Sequence, residues 1–196
     1  MITKIYNIGK IVSWDIDSDK IIVNDSSNLE ILIKDEYIIE IGQNLTKYEI
    51  DNNIDANKGL LSPGFIDCHT HPIFSGNRSH EFELRTKGVS YQNISEKGGG
   101  IKFSIKKLRD SSKEELFEES LPRIKSFLKK GTTTIEGKSG YGLTLKDEIK
   151  SLEVIQMLNQ NSKLDIIPTF MGAHDFPVEY LNDKDGYVDL ICNEMI

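Results

Sequence analysis

The chain has 196 residues, 38% hydrophobic and 28% charged, which is the balance of a folded protein and excludes a disordered one. A net charge of −7 argues against a partner held through nucleic-acid phosphates. The opening residues Met1–Trp14 alternate apolar and polar and form neither a secretory signal nor a membrane span, and Cys68 and Cys192 lie too far apart for a CxxC pair, so reduced thiols in a cytoplasmic protein are expected.

The first sixty residues read as strands. Ile2–Val12, Lys20–Val23, Leu29–Ile33 and Tyr37–Ile41 are short Ile-rich runs separated by the polar segments Asp15–Asp19 and Asn24–Asn28. Glu30–Ile33 and Tyr37–Ile41, joined by Lys34-Asp35-Glu36, predict a β-hairpin. Residues 1–59 are therefore expected to form a small, sandwich-like β module.

After Gly59 the pattern changes. Leu60–Ile66 is an apolar run leading into Asp67-Cys68-His69-Thr70-His71, and Pro72 bounds it. Ser112 with Glu115 predicts a capping box, opening a helix with Phe117, Leu121, Ile124 and Leu128 on one face and Gly131 at its end. Pro122 interrupts that pattern. Thr132–Ile135 reads as a buried strand. A second helix starts near Thr144, with Leu145, Ile149, Leu152 and Ile155 on one face, and ends near Asn161. Asp165–Phe170 and Tyr187–Cys192 read as two more buried strands.

Alternating strands and helices predict a parallel α/β domain, either doubly wound or a (β/α)8 barrel. Polar groups follow three strands: His69/His71, Lys138–Tyr141 and His174, at the ends where such sheets carry their sites. A barrel needs about 250 residues, and residues 60–196 are expected to be its first half, truncated at the C-terminus.

His69-Thr70-His71 carries the sharpest chemistry. Residues two apart on a strand share a face, so both imidazoles can reach one divalent ion, while ordinary hydrogen-bonding histidines are the alternative. Gly137-Lys138-Ser139 is no phosphate loop, because the first glycine of that motif would fall at Thr132, inside a strand. Gly98–Gly100 reads as a flexible turn over the site.

Pro63-Gly64-Phe65-Ile66-Asp67-Cys68-His69-Thr70-His71 resembles the first barrel strand of the amidohydrolase superfamily. Arg78-Ser79-His80-Glu81-Phe82-Glu83, Ser90-Tyr91, Gly98-Gly99-Gly100-Ile101, Lys138 to Leu143 and Pro168 to His174 narrow the likeness to the imidazolonepropionase family. The resemblance implies a partial (β/α)8 TIM-like barrel behind the β module. It implies His69 and His71 as ligands of one divalent metal, zinc or iron, and a small-molecule substrate, imidazolone propionate. Arg78 would grip the substrate's carboxylate, Tyr91 the propionate arm, and Tyr141 and His174 the ring. The remaining metal ligands and the proton-transfer residue are expected beyond Ile196, so the 196-residue chain alone is expected to bind metal poorly and to hydrolyse nothing. A homodimer is the assembly expected of a full-length chain. Another amidohydrolase, a cyclic amidase or deaminase, and a non-catalytic remnant remain as rival readings.

Overall fold

The computed structural model describes residues 1–196, which divide into two compact units, Met1–Pro63 and Gly64–Ile196. The first unit holds seven strands: β1 (Ile2–Ile8), β2 (Lys10–Asp15), β3 (Lys20–Asn24), β4 (Leu29–Lys34), β5 (Tyr37–Gln43), β6 (Asn52–Asp55) and β7 (Leu60–Leu61). They form two sheets, ordered β5-β4-β1-β6 and β3-β2-β7. The run Ile2–Val12 is thus two strands rather than one. The chain bends at Gly9, where a Cβ would lie 2.1 Å from the carbonyl oxygen of Lys58, so only glycine allows that approach. Ile8, Ile11, Leu29 and Ile31 form the core of this unit. In the β4–β5 hairpin Asp35 takes φ +55°, a left-handed conformation that Asp tolerates better than most residues.

Leu60–Ile66 is also not one strand. Leu60–Leu61 pairs in parallel with β2 inside the first unit, and after Ser62–Gly64 a new strand begins, β8 (Phe65–Thr70).

In the second unit β8 is followed by α1 (Ser79–Thr86), α2 (Tyr91–Glu96), α3 (Ile101–Asp110) and α4 (Lys113–Lys129). Then come β9 (Thr132–Lys138), α5 (Leu145–Gln160), β10 (Asp165–Thr169), two single 3-10 turns and α6 (Lys184–Leu190). The three strands are parallel, in spatial order β10-β9-β8. Strand order follows chain order, and α4 and α5 cover the same face, where Ile135 and Ile166 are register partners in one core with Leu116, Ile124, Val154, Ile155 and Leu158. Helices on one face of a steadily advancing parallel sheet are the winding of a barrel arc and equally of one half of a doubly wound sheet, which reverses only at its switch point. The arc is open: Ile66 and Ile167 are 67% and 56% exposed.

The expected strand Tyr187–Cys192 is instead the end of α6 and a π-helical turn, Ile191–Met195. Tyr187 is the reason. Its side chain is buried among Phe176, Tyr180 and Ile191, and its hydroxyl donates to the Gly172 carbonyl at 2.7 Å; burial, reinforced by Glu148, pushes the phenol up to about 12.

The helix boundaries match the sequence more closely than the helix faces do. Ser112 and Glu115 form both bonds of the capping box, and α4 runs unbroken through Pro122. Its most buried residues are Leu116, Ser120 and Ile124, the last of them from the expected row; Phe117, Leu121 and Leu128, the rest of that row, are partly buried against the same core. On α5 the buried row holds Glu148, Ser151, Val154, Ile155 and Leu158, leaving Ile149 in solvent and Leu145 near the surface.

Replacing the cap, Ser112→Ala, is expected to cost about 1 kcal/mol in urea unfolding followed by the far-ultraviolet helix signal. The hydrogen bonds from Ser112 hold the Glu115 carboxyl below its ordinary value of 4.5. Its contribution is therefore complete above that pH and is lost as the pH falls through the folded-state value.

Candidate active site

The site lies at the C-terminal ends of β8, β9 and β10. Just beyond β8, the His71 Nδ1 lies 2.9 Å from the Ser139 carbonyl. Just beyond β10, the His174 Nδ1 lies 2.8 Å from the Gly140 carbonyl. A carbonyl can only accept, so each Nδ1 carries the proton and each Nε2 presents a bare lone pair. The two rings stack at 4.6 Å, and Tyr141 packs on both at 5.1 and 5.4 Å. Burial, followed by the nearby His174, holds His71 below the usual histidine range and so favours the neutral imidazole. Burial also pushes the Tyr141 phenol up, which keeps its proton available for donation.

His69 sits on the exposed end of β8 with its ring 5.8 Å from that of His71, edge to face. At a Zn–N distance of about 2.1 Å, each ring centre stands about 3.2 Å from the ion, so rings at this separation can share one cation. The donors fit a divalent metal: two imidazoles, one already fixed with Nε2 free and biased to its neutral form. No group of three or more His, Cys, Asp or Glu residues is placed to hold an ion. Beside them on the open face of the sheet, Glu136 accepts from Lys138 Nζ at 2.7 Å and Thr169 Oγ1 at 2.8 Å. Those bonds hold its carboxyl below the ordinary range.

A cleft of about 320 Å³ opens between the loop after β8 and α3, lined by His71, Phe74, Asn77, Arg78, Phe103 and Tyr141. Its wall is anchored to α4. Ser120 and Arg123 donate to the Pro72 carbonyl, the Arg123 guanidinium lies 3.6 Å over the Phe74 ring, and Glu119 accepts from Ser75 and Gly76. Arg78 is the residue before α1, 41% exposed, with Nε 3.9 Å from Glu81 Oε2. That distance is an ion pair but no hydrogen bond, so the guanidinium donors remain available to a planar anion.

Of the residues singled out from sequence, the structure gathers His71, Arg78 and Tyr141 in the cleft, with His174 stacked behind them. His69 lies outside the cleft. Tyr91, the first residue of α2, is 56% exposed, and its hydroxyl covers Gly100, where a Cβ would come within 2.8 Å of it. The Gly98–Gly100 turn is pinned: Gly100 has φ +65°, and its N–H donates to the buried Glu81 carboxylate at 2.8 Å.

Two residues that place the site escaped the sequence reading. Glu81 ties α1 to that turn. Glu148, 1% exposed, accepts three backbone N–H bonds from the loop carrying Tyr141. An acid on a helix reads as solvent-facing, and neither spacing signals otherwise.

No helix is long and apolar enough to cross a membrane. No protein-family model matches the chain. The chain is 45% identical over 171 residues to an imidazolonepropionase of Christiangramia forsetii, covering 86% of this chain and 42% of that protein. An imidazolonepropionase of Ectopseudomonas mendocina is 50% identical over 138 residues, 70% of this chain and 34% of its own length. Among solved structures, a triazine hydrolase variant superposes with a TM-score of 0.59 at 16% identity, over 86% of this chain and 35% of that one. An atrazine chlorohydrolase from Arthrobacter aurescens, complexed with zinc and atraton, gives 0.52 at 15% identity, over 85% and 35%. At such identities these structures speak for the fold alone. By its sequence the chain is similar to imidazolonepropionases, and it spans 34 to 42% of the length of those relatives.

Proposed function

We propose that the full-length protein hydrolyses the cyclic amide C–N bond of 4-imidazolone-5-propanoate to give N-formimidoyl-L-glutamate in histidine degradation. The observation that carries this reading is the cleft in which an arginine with free donors faces an imidazole and a phenol. Its supports are the family relationship and the substrate's own chemistry, a carboxylate arm on a flat polar ring.

Arg78 binds the propionate carboxylate through paired N–H donors. The Tyr141 hydroxyl donates to the ring, and the Nε2 of His174 accepts from a ring N–H. These contacts orient the ring and hold its carbonyl in one place. Water adds to that carbonyl carbon, the ring C–N bond breaks, and the departing nitrogen takes a proton. His69 and His71 would hold one divalent ion, zinc or iron, and a zinc-bound neighbour of the same fold accords with that choice. Such an ion, when bound, supplies an activated water and a polarised carbonyl.

Turnover belongs to the whole protein, because this chain spans 42% of its relative. Full-length protein is expected to consume 4-imidazolone-5-propanoate, to lose that activity on dialysis against a chelator, and to regain it with zinc or iron. Unchanged activity after metal removal would refute the metal-dependent part of the reading. A preference for another cyclic amide would refute the substrate.

A further inference from the structure

Glu148 occupies the first turn of α5, where a carboxylate is favoured by the helix dipole. Its side chain leaves that helix and turns inward. Oε1 accepts the N–H groups of Gly142 and Leu143, both at 2.8 Å, and Oε2 accepts that of Gly140 at 3.0 Å. Three backbone amides of one five-residue loop are thus closed on a single buried anion. Such charge-assisted bonds, made out of water, are among the stronger constraints a side chain can place on a backbone.

The same loop presents its carbonyls outward to the imidazoles. Ser139 receives the Nδ1 proton of His71 and Gly140 that of His174, while Tyr141 stacks on both rings. Which nitrogen of a histidine carries the proton is set by the bond its other nitrogen makes. With the loop held, both rings are locked as Nδ1–H with Nε2 bare. With it released, the Ser139–Gly140 peptide loses its bond to Glu148 and the Gly142–Leu143 segment its anchor, while Ser139 keeps its own bonds to Thr169 and Met171. Gly140 and Gly142 permit the closure: at Gly142 a Cβ would lie 2.5 Å from the Asp147 carbonyl carbon.

We propose that Glu148 is a positioning residue that sets the tautomer and orientation of His71 and His174 through the Ser139–Leu143 loop. This geometry stands on contacts within the chain. Only its consequence for catalysis rests on the function proposed above.

The test is nitrogen-15 NMR of the imidazole rings of the 196-residue chain at pH 8, where the neutral forms are read directly. In the unaltered chain His71 and His174 are expected as Nδ1–H. In Glu148→Ala both are expected to revert to Nε2–H as the major form. Should that variant fold poorly, Glu148→Gln serves the same purpose, since one of its two arms presents an N–H to the loop's N–H groups. Leu158→Ala, which opens the core on the same helix without touching the loop, controls for lost stability and is expected to leave both tautomers alone. An unaltered chain in the Nε2–H form would overturn the proposal, as would tautomers unmoved in both Glu148 variants or moved equally by Leu158→Ala. If the tautomers respond as expected while full-length protein turns over no imidazolone propionate, the proposed reaction falls and the role of Glu148 stands.

Discussion

His71→Ala in the full-length protein is expected to lower zinc affinity at least a hundredfold and to take turnover with it. Loss of an outer-shell partner alone costs about 10- to 100-fold in metal affinity, and His71 is a proposed ligand itself. Its ring lies 5.8 Å from that of His69, and its Nε2 is held both bare and oriented through the Nδ1 contact with Ser139. The effect should be specific. His174→Ala removes the stacked neighbour of His71 at 4.6 Å but none of the proposed ligands, so metal content should remain while substrate binding weakens. Competition titration with a chromophoric chelator measures the first quantity and steady-state kinetics the second. Equal zinc affinity in His71→Ala and the unaltered protein would leave the proposed metal centre without its better-placed donor.

Gly140→Ala is expected to destabilise the second unit by about 3 kcal/mol, the sum of two separate costs. At φ +108° the backbone lies where L residues rarely go, and a Cβ would stand 2.9 Å from both the His174 Cβ and the Met171 carbonyl oxygen. Neither obstacle is the end of a flexible side chain. Relief therefore means moving the turn after β10, which carries His174 out of its stack. Amide hydrogen exchange at Gly142 and Leu143 reads the loss, since both N–H groups depend on the same loop. About 3 kcal/mol corresponds to roughly a hundredfold faster exchange where opening and closing are fast relative to the exchange step. A change under about threefold would show that the loop accommodates a side chain and that the glycine is not required.

The way sequence and structure part company follows one rule. Features carried by neighbouring residues were legible. The β4–β5 hairpin, the Ser112–Glu115 capping box, the limits of α5 at Thr144 and Asn161, and the strand-end positions of His71, Tyr141 and His174 depend on short-range bonding and periodicity. The faces of α4 and α5 were legible in part: Ile124 and Ile155 are buried and Phe117, Leu121, Leu128 and Leu152 pack on the core, whereas Leu145 and Ile149 do not. Apolar periodicity on α5 marked Leu145 and Ile149 as core, yet Glu148 and Ser151 are buried and Ile149 faces solvent. A helix face can carry polar anchors where a loop offers N–H groups to receive them, and no local pattern announces that loop. Tyr187–Cys192 misled for a related reason: a β-branched apolar run suits a strand, but the buried hydroxyl of Tyr187 needs the Gly172 carbonyl and reaches it from a helix.

Sequence by itself determined that an α/β unit follows a strand-rich segment, that the chain resembles imidazolonepropionases, and which histidines, tyrosine and arginine to watch. Tertiary structure alone decided that the sheet winds in one direction, that His71, Arg78 and Tyr141 share a cleft while Tyr91 rests on Gly100, and that Glu148 governs the loop between two imidazoles. The physical reason is range. Propensity and periodicity act across a few residues, whereas the partners that orient a side chain, such as Ser139 for His71, stand 68 positions away and meet it only when the sheet forms.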